Sequence, residues 1–310
     1  KLLGQLPHLC KEIYKLLITG KGWLVIAVVV FITIFICNSQ KVIYSDDEKK
    51  KDEYYQEYGG KDYSGFTEII ELRKAEVKEA AEKLEEAQEQ FEKGEIDENT
   101  VSKYVYNYMD STRLLDSMNE YMEQINYVEE VNAQYGIEAY VMSQRGYNQI
   151  LGDNAKIRKL IIYIILGFGI VLIAESENAL EYKSGMNMLL GSSARGRIWG
   201  KAVKSGAVCI IAAIIAVIVN ITEMSVMSHT YGMPYIDAPL ISLSFMKVGK
   251  MLRYITIKQY MIMQLGVYIL YSLLVSIETM AVSRYIFKKN SNREVPLLIV
   301  LNTIVLFIII

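Results

Sequence analysis

The chain has 310 residues, 52% of them hydrophobic, a mean hydropathy of +0.19 and a formal net charge of -2. That balance excludes a highly charged disordered chain and a polybasic nucleic-acid binder. Cys10, Cys37 and Cys209 are scattered and only His8 and His229 occur, so neither a disulfide framework nor a Cys- or His-based metal site follows. The near-neutral total hides two opposite parts. Lys41 to Ala155 holds 27 acidic and 13 basic residues, a net of -14, and the remainder carries +12. An acidic soluble insert is expected within a basic membrane body.

Residues 1–21 carry Lys1, Lys11, Lys15 and Lys21, with Leu6, Leu9, Ile13, Leu16 and Leu17 at near-helical spacing. The pattern predicts a basic amphipathic helix at a membrane interface, with a signal peptide as the rival reading. Residues 22–40 contain no charge and open near Trp23, which predicts a first span. By the positive-inside preference the amino-terminal segment is then cytoplasmic and the insert extracellular.

Within the insert, 41–155, residues 46–62 are so charged that they predict a hydrated stalk. Ile70, Val77, Leu84 and Phe91 then recur every seven residues, one face of a long helix that Gly94 can end. Val101, Tyr104, Tyr108, Leu115, Met118, Met122 and Ile125 predict a second helix folding back on the first as an antiparallel hairpin. Thirteen of the 23 tyrosines lie in the insert, Tyr54, Tyr55 and Tyr58 among them. They either cover helices or form an amphipathic contact surface.

A second span is expected at 156–174. It is short, so its flanking Lys156, Arg158 and Lys159 would have to snorkel. A polar segment, 175–204, precedes a third span at 205–222. Residues 223–258, with Pro234 and Pro239, contain no helix-length apolar run and are expected to be extracellular or re-entrant. Lys247, Lys250, Arg253 and Lys258 sit awkwardly on that side unless they face anionic lipid or the acidic insert. A fourth span follows at 259–277, a basic cytoplasmic loop at 278–294, and a fifth span from 295 to 310 that the chain is expected to outrun.

The segment 175–204 is the most informative. Met186, Leu189 and Leu190 give a short helix an apolar face, Gly191 to Ser193 can stop it, and Arg195, Arg197, Lys201 and Lys204 suit anionic headgroups. Gly191 and Gly196 have the spacing of a nucleotide-binding loop, but Arg197 and Ile198 stand where Lys and Ser or Thr are required. The order Glu181, Gly185, Leu189-Leu190, Ser192-Ser193, Gly196-Arg197, Lys201 resembles the cytoplasmic coupling segment of ABC exporter permeases, in particular those of Gram-positive bacteria. Residues 238–243 and 255–260 add a weaker likeness.

The resemblance implies an all-α, polytopic helical membrane protein of a bacterial cell membrane, with a large extracellular helical-hairpin insert between its first two spans. It implies coupling residues at Glu175, Glu177, Glu181, Gly185, Met186, Leu189, Leu190, Arg195, Gly196, Arg197 and Lys201. The implied partners are a cytoplasmic ABC ATPase that binds ATP and Mg, a second permease subunit, membrane lipids and a peptide or lipid-like substrate such as an antimicrobial peptide. No cofactor, catalytic residue or nucleic acid is expected on this chain. Glu223 and Glu278 border spans as weaker candidates for a polar contact in the pathway. The rival is a membrane-anchored sensor or scaffold whose hairpin binds an envelope partner. A four-span mechanical permease shares the large insert, and the run from Val295 counts against it.

Overall fold

A computed structural model describes residues 6–43, 46–116, 118–183, 199–246 and 248–286. In chain order its helices are α1 (Leu6–Tyr14), α2 (Gly22–Ser39), α3 (Asp46–Tyr58), α4 (Ser64–Glu92), α5 (Glu98–Asp116), α6 (Asn119–Tyr135), α7 (Arg145–Leu151), α8 (Asp153–Lys183), α9 (Lys201–Tyr231) and α10 (Ile257–Ile286). Among the described residues there is no strand, only isolated backbone bridges between Gly60 and Val141 and between Pro239 and Thr256. The chain divides into two compact units.

The first unit comprises Lys1–Val42, Asn148–Gly232 and Gln259–Ile310. Four stretches among the described residues are long and apolar enough to cross a membrane, Gly22–Ser39, Arg145–Ser176, Lys201–Tyr231 and Ile257–Val282, and all but their outermost few residues belong to this unit. Each span has one buried stripe and an apolar face left uncovered. The inward stripe of α9 is Ala207, Ile211, Ala212, Ile215, Ala216 and Val219, whereas Phe31, Phe35, Ile221 and Ile277 point outward with more than half of their surface exposed. At about 25 cal/mol per Å² such faces are costly in water and cost nothing against lipid tails. The unit is that of a membrane protein. A Cβ added at Gly169 on α8 would lie 2.7 Å from Val29 Cγ2 on α2, so only glycine lets these two helices approach so closely.

The helices overrun the uncharged runs of the sequence. α8 continues to Lys183, α9 to Tyr231 and α10 to Ile286. Counting apolar residues measures hydrocarbon thickness, whereas a helix goes on wherever it is the simplest way to pair backbone groups. Residues 295–310, expected as a fifth span, lie outside the described residues.

The second unit comprises Ile43–Tyr147 and Met233–Lys258. Here the expectations need correction at two places. Residues 46–58 are not a hydrated stalk: they form α3, whose Tyr55 is 2% exposed. Its ring meets Phe66 of α4 at 5.6 Å and Tyr121 of α6 at 4.7 Å between centroids, with Phe66 and Tyr121 at 4.9 Å. One tyrosine face suffices to fold a segment that charge counting assigns to solvent, because each buried aromatic removes 150–250 Å² from water, as a rough rule. Tyr55 is therefore core and not contact surface.

The second correction concerns the helix expected from Val101 to Ile125. It ends at Asp116, and α6 starts anew at Asn119. α4 and α5 pack along each other as a hairpin, with Gly94 at φ +75° after α4 and Asp97 accepting from the Thr100 N–H at 3.1 Å before the second turn of α5. Beyond the break, Met118, Tyr121, Ile125, Val128 and Val131 turn instead toward Tyr55, Phe66 and Ile70. Burial at that core outweighs the local helical register.

Residues 233–258 are an integral part of this unit. Tyr127 donates to the Ile241 carbonyl at 2.8 Å, Tyr147 to that of Pro234 at 2.7 Å, Tyr235 to that of Gly59 at 2.9 Å, and the Tyr140 N–H to Ser242 Oγ at 3.0 Å. Arg253 stacks over the Tyr135 ring at 4.1 Å, so this cation is held by an aromatic of the insert. Lys258 lies 3.9 Å from Asp237, and Lys247 is outside the described residues.

Phe66→Ala should destabilise the second unit by about 3–5 kcal/mol. Hydrogen exchange on the full chain checks this: amides of α3 and α6 should exchange faster while those of α9 keep their rates. Burial, aided by the charge of Glu120, also pushes the Tyr55 and Tyr121 phenols well above their ordinary value of 10. Below pH 10 both folded and unfolded phenols hold their protons. Above it the unfolded chain releases protons that the folded one retains, so stability must fall as pH rises. A spectrophotometric titration should show a set of tyrosines that ionise only when the unit opens.

Candidate functional site

α8 begins with acidic Asp153 paired to Lys156 across 2.7 Å at the surface. Two residues on, Arg158 turns inward and is 1% exposed, against the expectation that it snorkels. The reason lies on two other helices. Glu223 of α9 is fully buried, and its Oε1 accepts from Arg158 Nε at 3.0 Å. Its second oxygen, Oε2, accepts from the Tyr268 hydroxyl of α10 at 2.7 Å. One carboxylate therefore ties α8, α9 and α10 together. Removed from water, each partner needs the others, since an unpaired charge at such depth costs several kcal/mol or more.

Aromatic rings enclose the pair. Tyr163, on the turn of α8 after Arg158, stacks on Tyr268 with centroids 4.6 Å apart and meets Tyr271 edge-on at 5.0 Å. The Tyr271 hydroxyl donates to the Tyr163 carbonyl at 3.0 Å. Lys159 reaches Gln264 Oε1 of α10 at 3.0 Å. Asn220, one helical turn before Glu223 on the same face of α9, is 5% exposed. Two buried donors here have no hydrogen-bond partner, Arg158 Nη2 and Asn220 Nδ2.

The sequence singled out Glu223 only as a weaker candidate, and it missed Tyr268, Tyr163 and Asn220. A usable signal was present: a basic residue just inside one span and an acidic residue within another are costly unless paired. Of the residues expected to couple to an ATPase, Glu175 is half-buried in α8, Glu177 and Glu181 continue the same helix, and Lys201 is the exposed first residue of α9. Gly185, Met186, Leu189, Leu190, Arg195, Gly196 and Arg197 lie outside the described residues. Among the described residues no group of three His, Cys, Asp or Glu side chains could hold a metal ion. Comparison with protein-family models, curated proteins and solved structures gives no match.

The geometry makes a graded prediction. Glu223→Gln or Arg158→Gln alone should cost about 3–5 kcal/mol, because each leaves a buried charge or its donors uncompensated, whereas Arg158→Met with Glu223→Met should cost far less. Tyr268→Phe removes a hydrogen bond to a carboxylate, about 1.5–3 kcal/mol. Unfolding of the full chain in mixed micelles under increasing denaturing detergent ranks these variants; equal loss in single and double variants would contradict the assignment.

Proposed function

We propose that this chain is the membrane-spanning permease subunit of an ATP-driven exporter, working with a separate ATPase subunit and a second permease subunit to move a peptide or lipid-like substrate. The observation that carries the reading is the arrangement of the four candidate spans about the polar segment 175–204. α8 runs into this segment as far as Lys183 and α9 leaves it from Lys201, so both ends of the segment are continuous with spans. A push on it would be transmitted directly to α8 and α9, and through Glu223 and Tyr268 to α10. The order of residues within the segment, from Glu181 through Leu189-Leu190 to Gly196-Arg197, supplies the likeness to an ATPase-coupling element.

Alternation of spans supports the same reading. Two crossings, α8 and α9, separate residues 43–147 from residues 233–258, which puts both on one side of the membrane, and these two segments compose the second unit. The segment 175–204 then falls on the opposite side, together with the basic amino-terminal helix. A cytoplasmic side for the segment follows from the basic residues at Arg195, Arg197, Lys201 and Lys204. The independent aromatic core of the second unit favours one rival, an anchored scaffold whose soluble unit binds an envelope partner.

Co-purification decides between them. A chain carrying nucleotide-binding motifs should accompany the detergent-solubilised wild type and be lost or much reduced with a Leu189→Asp/Leu190→Asp variant. If wild type retains no ATPase under conditions that preserve other transporters, the exporter reading falls and the scaffold reading takes its place.

A further inference from the structure

The buried cluster in the spans has more donors than it has acceptors. Arg158 and Lys159 are both basic, and Glu223 is the carboxylate paired with Arg158; half-buried Lys159 rests on the neutral amide oxygen of Gln264. Both Glu223 oxygens are already engaged, by Arg158 Nε and by the Tyr268 hydroxyl. Arg158 Nη2 and Asn220 Nδ2 are left without partners although their residues are 1% and 5% exposed. Buried donors are satisfied in more than nine cases of ten, as a rough rule, and an arginine N–H is among the costliest to leave bare. Asn220 lies one helical turn before Glu223 on α9, and Arg158 is bonded to Glu223, so both orphan donors belong to residues next to that carboxylate.

We propose that this site binds an anionic head group, a phosphate or a carboxylate joined to an apolar chain, with Arg158 Nη2 and Asn220 Nδ2 donating to its oxygens. A planar guanidinium already anchored at Nε presents its remaining edge in fixed orientation, the geometry that suits oxyanions. Tyr163 stacks on Tyr268 and meets Tyr271 edge-on, so apolar rings adjoin the carboxylate that Arg158 holds. An oxyanion entering here would both balance the second basic side chain and satisfy the two donors, whereas a neutral acceptor would do only the second and a cation neither. The proposal gives the exporter reading a substrate class and rests on that reading only for the claim that the bound molecule is moved; binding itself needs no ATPase.

The test uses the full chain in phosphatidylcholine nanodiscs and three probes: dihexanoyl phosphatidylglycerol, N-octanoylglycine and the uncharged N-octanoylglycinamide. Saturable shifts in melting temperature, corrected with empty nanodiscs, report binding. The phosphate probe, the carboxylate probe or both should give a saturable shift and the amide none. A response to the phosphate alone identifies a lipid head group, and a response to the carboxylate identifies a peptide terminus or fatty acid. Asn220→Leu should weaken binding about tenfold, the loss of one good hydrogen bond. Arg158→Met with Glu223→Met, which removes both charges together and so spares the fold, should abolish it. Equal shifts with the amide, no shift with any probe, or unchanged affinity in both variants would overturn the proposal and leave the cluster as a purely structural, water-satisfied pair. A wild type that binds these anions yet retains no ATPase would sink the exporter reading and leave this site standing.

Discussion

The membrane unit depends on one carboxylate. Glu223 sits among α8, α9 and α10 with both of its oxygens engaged, one by Arg158 and one by Tyr268. In a bilayer the hydrophobic effect does not hold helices together, because lipid tails are as apolar as leucine. What remains is close packing, as at Gly169 against Val29, and polar contact, of which this pair is the strongest available kind. Its strength is conditional: the two charges stabilise one another only while both are present and their other lone pairs and protons are met. That condition ties the three helices at one point, where the neighbouring tyrosines combine apolar rings with hydroxyls able to reach a carboxylate or a carbonyl.

The second unit follows a different logic suited to water. Its hairpin, α4 with α5, is laced by surface pairs such as Arg73 with Glu76 and Lys83 with Glu79, each worth little by itself. Stability comes instead from the cluster around Tyr55, Phe66, Tyr121 and Val128. Tyrosine hydroxyls then do a second job here, donating from Tyr127, Tyr147 and Tyr235 to bare carbonyls of the irregular chain. Residues 233–258, without a helix-length apolar run, are folded by these donors rather than by their own periodicity.

This division explains what could be read from the sequence. Spans are legible because an uncharged run of about 20 residues has few other uses, and all four stretches in the described residues fall where such runs do. The seven-residue spacing of Ile70, Val77 and Leu84 likewise marks α4. Long-range partnership was not legible. Nothing local to Asp46–Tyr58 reveals that Tyr55 meets Phe66, nothing in the seam from Val101 to Ile125 marks the break before Asn119, and no spacing relates Arg158 to a glutamate 65 residues later. Charge near a span end has two outcomes, pairing at the surface or pairing in the interior, and only the fold selects between them: Lys156 takes the first with Asp153 and Arg158 the second with Glu223.

For the proposed exporter function, the link to test runs from the polar segment 175–204 to the spans that flank it. The most direct test is site-specific photocrosslinking from positions 189 and 190 in native membranes, with the captured chain identified by sequence. The exporter account predicts capture of one chain bearing nucleotide-binding motifs, with a yield that differs between ATP-loaded and nucleotide-free membranes. Labelling of lipid alone, or of a chain without such motifs and indifferent to nucleotide, would contradict it.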